Sequence, residues 1–434
     1  MPSISTSDTI SAELDGREVK IGGWIEDIRD LGGISFYIVR DGYGAVQVTV
    51  VRRNAPAEVI SALEGVQRES VIEVRGKIRK SEKAGRGFEL IPDEITVLSA
   101  AGAPLPLGVV DRVGTEAETR FDNRFLDLRK EEKSAIFRVR AEMSYRMREK
   151  LREMRFVEVF TPKVVSEGAE GGATLFRVDY FGKKAFLAQS PQLYKQILMS
   201  TGLNRVYEIA PAYRAELSDT VRHTSEFVSF DAEIAFIDGL EDVLNTLQEL
   251  MVYTISRTAE FIRERFPSRF TPEIPKTPFP RLRYSECLDL LASEHKEIRE
   301  GEDLDSESEK LIGRIMKEKG YSMYFITMYP ASIKPFYVME DGNGMSFSFD
   351  LEFDGTEMAS GGQREHRYDR LVSRMKQKNL EISAFEFYLK AFRFGMPPHG
   401  GWGLGFDRLV NSYLKLGNIR EAILFPRDRT RLAP

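Results

Sequence analysis

Polar and apolar positions alternate through residues 206–236, VYEIAPAYRAELSDTVRHTSEFVSFDAEIAF. Alternation with a period of two is typical of half-buried strands, so two such runs around a polar loop predict one long hairpin. The predicted polar face carries Glu208, Ala210, Ala212, Arg214 and Glu216 in the first arm and Ser229, Asp231 and Glu233 in the second. The loop carries Arg222 and His223. Taken alone, such a hairpin is either a salt-bridged surface or the polar floor of a site, and the first alternative is the commoner one.

Five β-rich runs separated by turns occupy residues 17–100. They are EVKIGGWIEDI, ISFYIVR, AVQVTVV, SVIEVRGKIRK and GFELIPDEITVL, with a short helical segment, PAEVISALEGV, between the third and the fourth. This order is the pattern of an OB-fold barrel, which binds single-stranded nucleic acid through aromatic and basic side chains. Arg29, Phe36 and Gln47 are the candidate contacts. A lone aromatic residue at a strand centre is more often part of the core, so Phe36 stays open at this point.

Beyond residue 121 helical and strand patterns mix, which predicts an α+β chain. Apolar residues with helical spacing cover 134–154 and 240–266, and a charged helical insertion is predicted near 292–320, where Ser306 and Glu309 have capping-box spacing. FVEVFTPKVV predicts a strand interrupted by Pro162, which suits an edge strand or an interface because proline cannot donate to a ladder. We therefore predict a barrel domain at 1–103, a hinge at 104–131 and a larger domain at 132–434.

Two later stretches add candidate chemistry. SFSFDLEFDGTEMASGGQREH places Asp350, Glu357, Ser360 and Arg364 close together, and GWGLGFDR combines alternating glycines with Arg408. Two arginines facing one cavity would bind a polyphosphate, and two carboxylates could hold Mg²⁺ through hard oxygen ligands. An ATP site follows, although neither G-x-G-x-x-G nor the P-loop motif occurs. The alternative for each carboxylate taken singly is an ordinary ion pair.

Composition and charge limit the kinds of site, compartment and partner that are expected. A single cysteine and four histidines argue against a disulfide framework and against a zinc site built from these residues. The N-terminal residues show no signal-peptide pattern, and no run of about 18 apolar residues occurs, so a cytoplasmic protein without a membrane partner is expected. The net charge of −5 argues mildly against a nucleic-acid partner but does not exclude a local basic track.

Several of these stretches resemble a known family. FVEVFTPKVV is similar to motif 1 of the class II aminoacyl-tRNA synthetases, YRAE with its hairpin to motif 2, and GWGLGFDR to motif 3. QSPQLYKQ, SGGQREHRYD, PPHGGWGLGFDRL and NIREAILFPRDR resemble the aspartyl-tRNA synthetases of the archaeal and eukaryotic type. The resemblance implies an OB-fold anticodon-binding domain followed by a class II catalytic domain, an antiparallel β-sheet flanked by helices. One departure is Arg155, which stands where motif 1 usually has glycine.

The resemblance also implies a nucleotide site. Arg214 would hold the α-phosphate, Glu216 the adenine amino group and Arg408 the γ-phosphate, while Phe227 would stack on the adenine. Arg222, His223 and Gly405 would complete the ATP contacts. The cofactor Mg²⁺ would lie among Asp350, Glu357 and Ser360. Arg214, Arg408 and Glu357 would be the catalytic residues.

A second set of implied residues would bind L-aspartate. Arg364 and Lys195 would hold its side-chain carboxylate, and Asp231 would meet its α-ammonium group. Glu170 would close over the substrate and Gln192 would orient it, with Arg214 and Ser360 also in contact. A guanidinium suits an anionic side chain, so this set favours aspartate over asparagine or lysine.

The implied activity is ATP-dependent activation of L-aspartate and its transfer to tRNA(Asp) by a homodimer whose interface contains Pro162. In the barrel, Phe36 would stack on an anticodon base beside Arg29 and Gln47. Charging of tRNA(Asn) stays open, because Glu26 and Gly85 match neither pairing associated with tRNA choice in archaeal relatives. The alternatives are an asparaginyl-tRNA synthetase, which Arg364 argues against, and a non-catalytic RNA-binding paralogue, which the intact signature residues argue against.

Overall fold

The computed structural model describes residues 4–110, 114–168, 175–215, 223–299 and 301–434. Two compact units divide it, Met1–Lys130 and Glu131–Pro434. Among the described residues, none of the helices has the length and apolar character needed to cross a bilayer. Each unit has a core of its own, and each is described separately.

The first unit is a closed five-stranded barrel, which confirms the predicted OB fold. Its strands, in the order β1-β2-β3-β5-β4 around the barrel, are β1 (Glu18–Asp30), β2 (Ile34–Arg40), β3 (Ala45–Val51), β4 (Val71–Lys80) and β5 (Phe88–Ser99). Helix α1 (Ala57–Leu63) lies between β3 and β4, and two short helices follow the barrel, α2 (Ala117–Asp122) and α3 (Arg124–Asp127). Alternate residues of each strand point inward, so Ile25, Val48, Val74 and Leu90 fill the barrel.

The second unit combines helices with two sheets. Its helices are α4 (Glu131–Glu153), α5 (Gln192–Met199), α6 (Leu240–Arg265), α7 (Tyr284–Ser293), α8 (Ser306–Glu318), α9 (Tyr368–Gln377), α10 (Glu386–Arg393) and α11 (Phe406–Tyr413). Its strands are β6 (Val157–Glu158), β7 (Val164–Val165), β8 (Arg177–Tyr180), β9 (Lys183–Leu187), β10 (Arg205–Tyr213), β11 (Glu226–Ala235), β12 (Arg281–Arg283), β13 (Met323–Thr327), β14 (Ser348–Phe353), β15 (Glu357–Gln363) and β16 (His399–Gly405).

An eight-stranded sheet organises this unit, in the order β12-β13-β14-β15-β16-β11-β10-β6. Its strands pair antiparallel, apart from the parallel edge pairs β12–β13 and β10–β6. Apolar residues of α4 and α6, such as Met147 and Leu247, pack with Phe230, Phe349 and Trp402 of the sheet. Because strand side chains alternate, the intervening polar residues of β11 and β14 are left for the opposite face.

The segment FVEVFTPKVV forms two strands in two different sheets. β6 pairs with β10 at the edge of the large sheet, whereas β7 pairs with β9 in a three-stranded sheet ordered β7-β9-β8. Pro162 lies between them and is exposed. The prediction of one interrupted strand is therefore wrong, because a short strand is defined by its hydrogen-bonding partner and not by its own pattern.

Two helix ends also differ from their sequence patterns. Asp305 caps α8 by accepting a hydrogen bond from the backbone N–H of Ser308 at 2.7 Å, so the cap lies one residue before the predicted Ser306. Residues 294–299 and 301–305 are not helical, which shortens the predicted helical stretch. After α4, Arg155 adopts a φ of 63°, the left-handed conformation that glycine takes most readily.

Candidate active site

Register across the large sheet brings the predicted site residues into one row. Asp350 of β14 pairs with Ser360 of β15, and Ser360 pairs with Gly403 of β16. Gly403 in turn pairs with Asp231 of β11. A Cβ atom on Gly403 would lie 3.1 Å from Oδ1 of Asp231, so glycine keeps the floor open beside that carboxylate. The three predicted pieces of sequence therefore meet on the polar face of the sheet.

A cavity lies over this row and collects most of the predicted residues. Those that line it are Gln192, Arg214, His223, Phe227, Asp231, Glu357, Ser360, Arg364, Gly405 and Arg408. Lys195 and Asp350 are buried next to lining residues without lining the cavity themselves. Glu170, Glu216 and Arg222 lie outside the described residues.

One end of the cavity carries two arginines and an aromatic ring. The Arg214 guanidinium carbon lies 5.3 Å from the centre of the Phe227 ring. Arg408 donates a hydrogen bond from Nη1 to the backbone oxygen of Glu357 at 2.8 Å. Burial and the nearby Asp350 raise the pKa of Glu357, and Arg408 partly offsets this effect. Two guanidinium groups and a flat ring suit a nucleotide with a negatively charged polyphosphate.

Asp350, Glu357 and Ser360 provide two carboxylates and a hydroxyl group, which are the hard oxygen donors that Mg²⁺ prefers. The donor set therefore fits the predicted metal through two carboxylates and a hydroxyl group, although the described residues include no group of three or more Asp, Glu, His or Cys side chains that could hold a metal ion. Lys334, which the sequence patterns did not single out, lines the cavity and lies with Nζ 2.9 Å from Oδ2 of Asp350. Lys334 lies 16 residues before Asp350, and no sequence motif with this spacing predicts their contact.

The other end of the cavity holds a buried network of charges. Arg364 donates from Nε to Oε1 of Glu233 at 2.9 Å and from Nη2 to Oε2 at 3.3 Å. Lys195 donates to Oδ1 of Asp231 at 3.0 Å and to the backbone oxygen of Trp402 at 2.7 Å, and lies 3.4 Å from Oε2 of Glu233. Burial would raise the pKa of Glu233, but Arg364 and Lys195 outweigh it and lower the pKa.

Glu233 is thus a site residue to which the sequence assigned no role. It is fully buried and touches both cations that were expected to bind the substrate carboxylate. Its position two residues after Asp231, on the same face of β11, was visible in the alternation. The pairing with Arg364, 131 residues away in the chain, depends on tertiary structure and was not visible.

In the barrel, the three candidate residues share one outer face. Arg29 pairs with Phe36 across β1 and β2, while Phe36 pairs with Thr49 of β3, two residues from Gln47. Arg29 has a side chain 71% exposed. Gln47 donates to Oε2 of Glu89 at 3.3 Å. Phe36 is half-buried, and a half-buried ring on an open barrel face can accept a stacked base.

Glu89 is a second residue whose role its sequence pattern does not indicate. It is 5% exposed and accepts a hydrogen bond from Arg79 Nη2 at 2.7 Å in addition to those from Gln47 and Thr49. Its carboxylate therefore fixes the polar groups beside Phe36. The pattern of β5 marks Glu89 only as one of several polar positions.

Family models match both units. A model of class II tRNA synthetases of the D, K and N type matches residues 116–429, and a model of OB-fold nucleic acid binding domains matches residues 19–98. Together with the antiparallel sheet and its cavity, these matches assign the protein to the class II aminoacyl-tRNA synthetases.

Relatives that match over nearly the whole chain identify the family within this class. The chain is 47% identical to the aspartate–tRNA(Asp) ligase of Pyrococcus furiosus over 99% of both chains. It is also 47% identical to the aspartate–tRNA(Asp/Asn) ligase of Archaeoglobus fulgidus, over 99% of this chain and all of that one. The chain belongs to the aspartate–tRNA ligase family of class II synthetases.

Solved structures of two synthetases match this chain over its full length. Asparaginyl-tRNA synthetase from Pyrococcus horikoshii in complex with asparaginyl-adenylate superposes with a TM-score of 0.93 at 33% identity over both full chains. Aspartyl tRNA synthetase from Entamoeba histolytica gives a TM-score of 0.87 at 28% identity, over all of this chain and 93% of that one. Because both amino-acid types occur on one fold, the choice between them must come from side chains in the cavity.

Proposed function

We propose that the protein activates L-aspartate with ATP and transfers it to the 3′ end of tRNA(Asp). The observation that carries the proposal is that one cavity is lined both by Arg214 and Arg408 and by Arg364 and Asp231. Such a cavity can hold a nucleotide and an amino acid side by side. The family membership makes the same assignment for the reaction class.

The charge of the amino-acid end favours aspartate. Contacts to Glu233 occupy two of the five N–H donors of the Arg364 guanidinium, which leaves donors for a substrate carboxylate. An asparagine amide would offer one acceptor oxygen and an N–H₂ group that guanidinium donors cannot satisfy. Asp231, held by Lys195, supplies the anion for the substrate α-ammonium group.

Lys195 has a supporting part in this proposal. Lys195 is 2% exposed, and its ammonium group bridges Asp231, Glu233 and the backbone of β16, so its first effect is to fix the two carboxylates. It adds positive charge behind the substrate carboxylate without lining the cavity. Gln192, on the first turn of the helix that carries Lys195, does line the cavity and is placed to orient the amino acid.

Activation needs no protein nucleophile. An oxygen of the aspartate α-carboxylate forms a bond to the α-phosphorus, while the bond from that phosphorus to the bridging oxygen breaks and pyrophosphate leaves. The oxygen of the 3′-terminal ribose hydroxyl then forms a bond to the activated carbonyl carbon, the bond from that carbon to the phosphate oxygen breaks, and AMP leaves while the hydroxyl proton is released to solvent. Arg214 would stabilise charge at the α-phosphate and Arg408 would hold the γ-phosphate. Asp350, Glu357 and Ser360 would hold Mg²⁺, which supplies positive charge to the polyphosphate.

The proposal assigns anticodon recognition to the barrel and dimer formation to the segment around Pro162. Phe36 would stack on an anticodon base, with Arg29 and Gln47 beside it. Around Pro162, Phe160 is 80% exposed and Val164 42% exposed, and apolar exposure of this kind favours a protein interface. A homodimer would cover both residues.

Side-by-side charging of purified tRNA(Asp) and tRNA(Asn) with labelled aspartate tests the function. We expect aspartate to be attached to tRNA(Asp), and the same assay determines whether tRNA(Asn) is a second acceptor, as the names of some relatives suggest. Labelled asparagine serves as the control amino acid. Attachment of asparagine in place of aspartate would refute the proposed substrate, and attachment of neither would favour a non-catalytic paralogue.

A further inference from the structure

Lys334 lies in the segment between β13 and β14 and has an unusual setting for a lysine. Its Nζ is 2.9 Å from Oδ2 of Asp350 and 3.7 Å from the centre of the Tyr329 ring. The side chain is only 11% exposed, yet it lines the cavity together with Arg214 and Arg408. A carboxylate on one side and an aromatic face on the other therefore hold a positive charge at the edge of the nucleotide end.

The positive charge of the Lys334 ammonium group affects the binding of a metal ion at Asp350. Asp350 and Glu357 are the two carboxylates that suit Mg²⁺, and Lys334 already occupies one oxygen of Asp350. A divalent cation that approaches Asp350 would meet a fixed positive charge at the same carboxylate, and like charges a few ångströms apart repel strongly in a partly buried site. The protein's own cation thus competes with the metal.

We propose that Lys334 is an internal counter-cation that neutralises Asp350 while ATP is absent and faces the triphosphate when ATP is bound. The inference rests on the proposed ATP-dependent function. Polyphosphate oxygens give the ammonium a second set of acceptors within the cavity it lines, which lowers its competition with a metal at Asp350. Lys334 therefore couples metal binding to nucleotide binding, and discourages the carboxylates from holding a divalent cation without substrate.

Lys334→Met tests this role because methionine keeps the length and the apolar stem but removes the charge. Without nucleotide, the full-length variant should bind Mn²⁺ about tenfold more tightly than the wild type, measured from the electron paramagnetic resonance signal of free Mn²⁺. In EDTA, the same variant should bind ATP about tenfold more weakly, measured by titration calorimetry. We therefore expect the affinities for Mn²⁺ and ATP to change in opposite directions, whereas general damage to the cavity would weaken the binding of both ligands.

Lys317→Met is the matched control. Lys317 Nζ also lies 2.9 Å from an aspartate oxygen, Oδ2 of Asp354, but its side chain is 54% exposed and does not line the cavity. This variant should leave both affinities unchanged. Lys334→Arg keeps the charge and should preserve the wild-type preference for ATP over free Mn²⁺.

Two results would overturn the proposal: a Mn²⁺ affinity of Lys334→Met that stays near the wild-type value, or one that falls together with the ATP affinity. Lys334→Gln, which retains a hydrogen-bond donor for Asp350, should show the same pair of changes and serves if the methionine variant fails to fold. Neither assay contains aspartate or tRNA. A wild-type protein that failed to activate aspartate would refute the proposed function but leave these binding results interpretable.

Discussion

Replacement of Arg364 by leucine tests two roles of this residue, its proposed contact with the substrate carboxylate and its contribution to the stability of the fold. The Arg364 side chain is 3% exposed, and its guanidinium forms a two-point contact with Glu233, at 2.9 and 3.3 Å. The variant removes the cation proposed to bind the substrate carboxylate and leaves Glu233 with Lys195 at 3.4 Å. It should therefore change both aspartate recognition and the stability of the fold.

The two effects have different expected sizes. Loss of a buried, charged hydrogen bond to substrate costs about 3 kcal/mol, which lowers kcat/KM for aspartate roughly 150-fold, while the KM for ATP should change little. Breaking a buried ion pair from one side costs about 3–5 kcal/mol of folding stability. The pKa of Glu233, lowered in the wild type because Arg364 and Lys195 outweigh burial, should rise once Arg364 is gone.

The double variant Glu233→Gln, Arg364→Leu distinguishes the two effects. Removal of the Glu233 carboxylate, which in the single variant keeps only Lys195 as a cationic partner, should restore most of the stability seen in urea unfolding, because a buried charge that has lost its bidentate partner is no longer present. Aspartate-dependent exchange of label between pyrophosphate and ATP should stay low. Recovery of this exchange in the double variant would refute a direct contact between Arg364 and substrate. An equal loss of ATP and aspartate binding in the single variant would contradict the division of the cavity into two ends.

Three further predictions concern other parts of the molecule. Phe36→Ala should raise the KM for tRNA by about tenfold through lost base stacking and leave adenylate formation intact; an unchanged KM would remove Phe36 from the RNA contact. Burial lowers the pKa of His399 to about 4, so between its unfolded value near 6.5 and about 4 the unfolded chain binds a proton that the folded chain does not, and stability falls as pH falls. Between about pH 7 and pH 5 the wild type should therefore lose about 2 kcal/mol more in urea unfolding than His399→Asn, and equal losses would contradict a neutral buried imidazole. Arg155→Gly should stabilise the fold by about 0.5–1 kcal/mol because φ is 63° there, whereas Arg152→Gly inside α4 should destabilise it by about 1 kcal/mol, and equal signs would show that the left-handed conformation at Arg155 carries no strain.

The barrel and the central hairpin could be predicted from the sequence because alternation alone defines them. Along β1, buried and half-buried positions alternate from Val19 to Glu26. In β11 the apolar Phe230 alternates with the polar Ser229 and Asp231, although Phe230 and Asp231 are both buried. The meeting of Ser360, Gly403 and Asp231 was predictable only through the family resemblance, since strand register between distant segments leaves no local pattern.

Features that depend on a partner elsewhere in the chain could not be predicted. The alternation placed Glu233 on the polar face, but its pairing with Arg364 requires β11 and the end of β15 to lie close together. Lys334 has no neighbouring motif, and its contact with Asp350 arises from the path of an irregular segment. Likewise, the break of FVEVFTPKVV into β6 and β7 follows from two different pairing strands.

Exchange of label between pyrophosphate and ATP, with aspartate or asparagine as the only amino acid, tests the central claim most directly. It reports adenylate formation without tRNA, so it depends on the cavity alone. We expect exchange with aspartate and, because one missing charged contact costs about 2–3 kcal/mol, at least about 30-fold less with asparagine. Equal exchange with both amino acids would contradict the assignment of Arg364 to the substrate carboxylate, and no exchange with either would contradict the proposed activity.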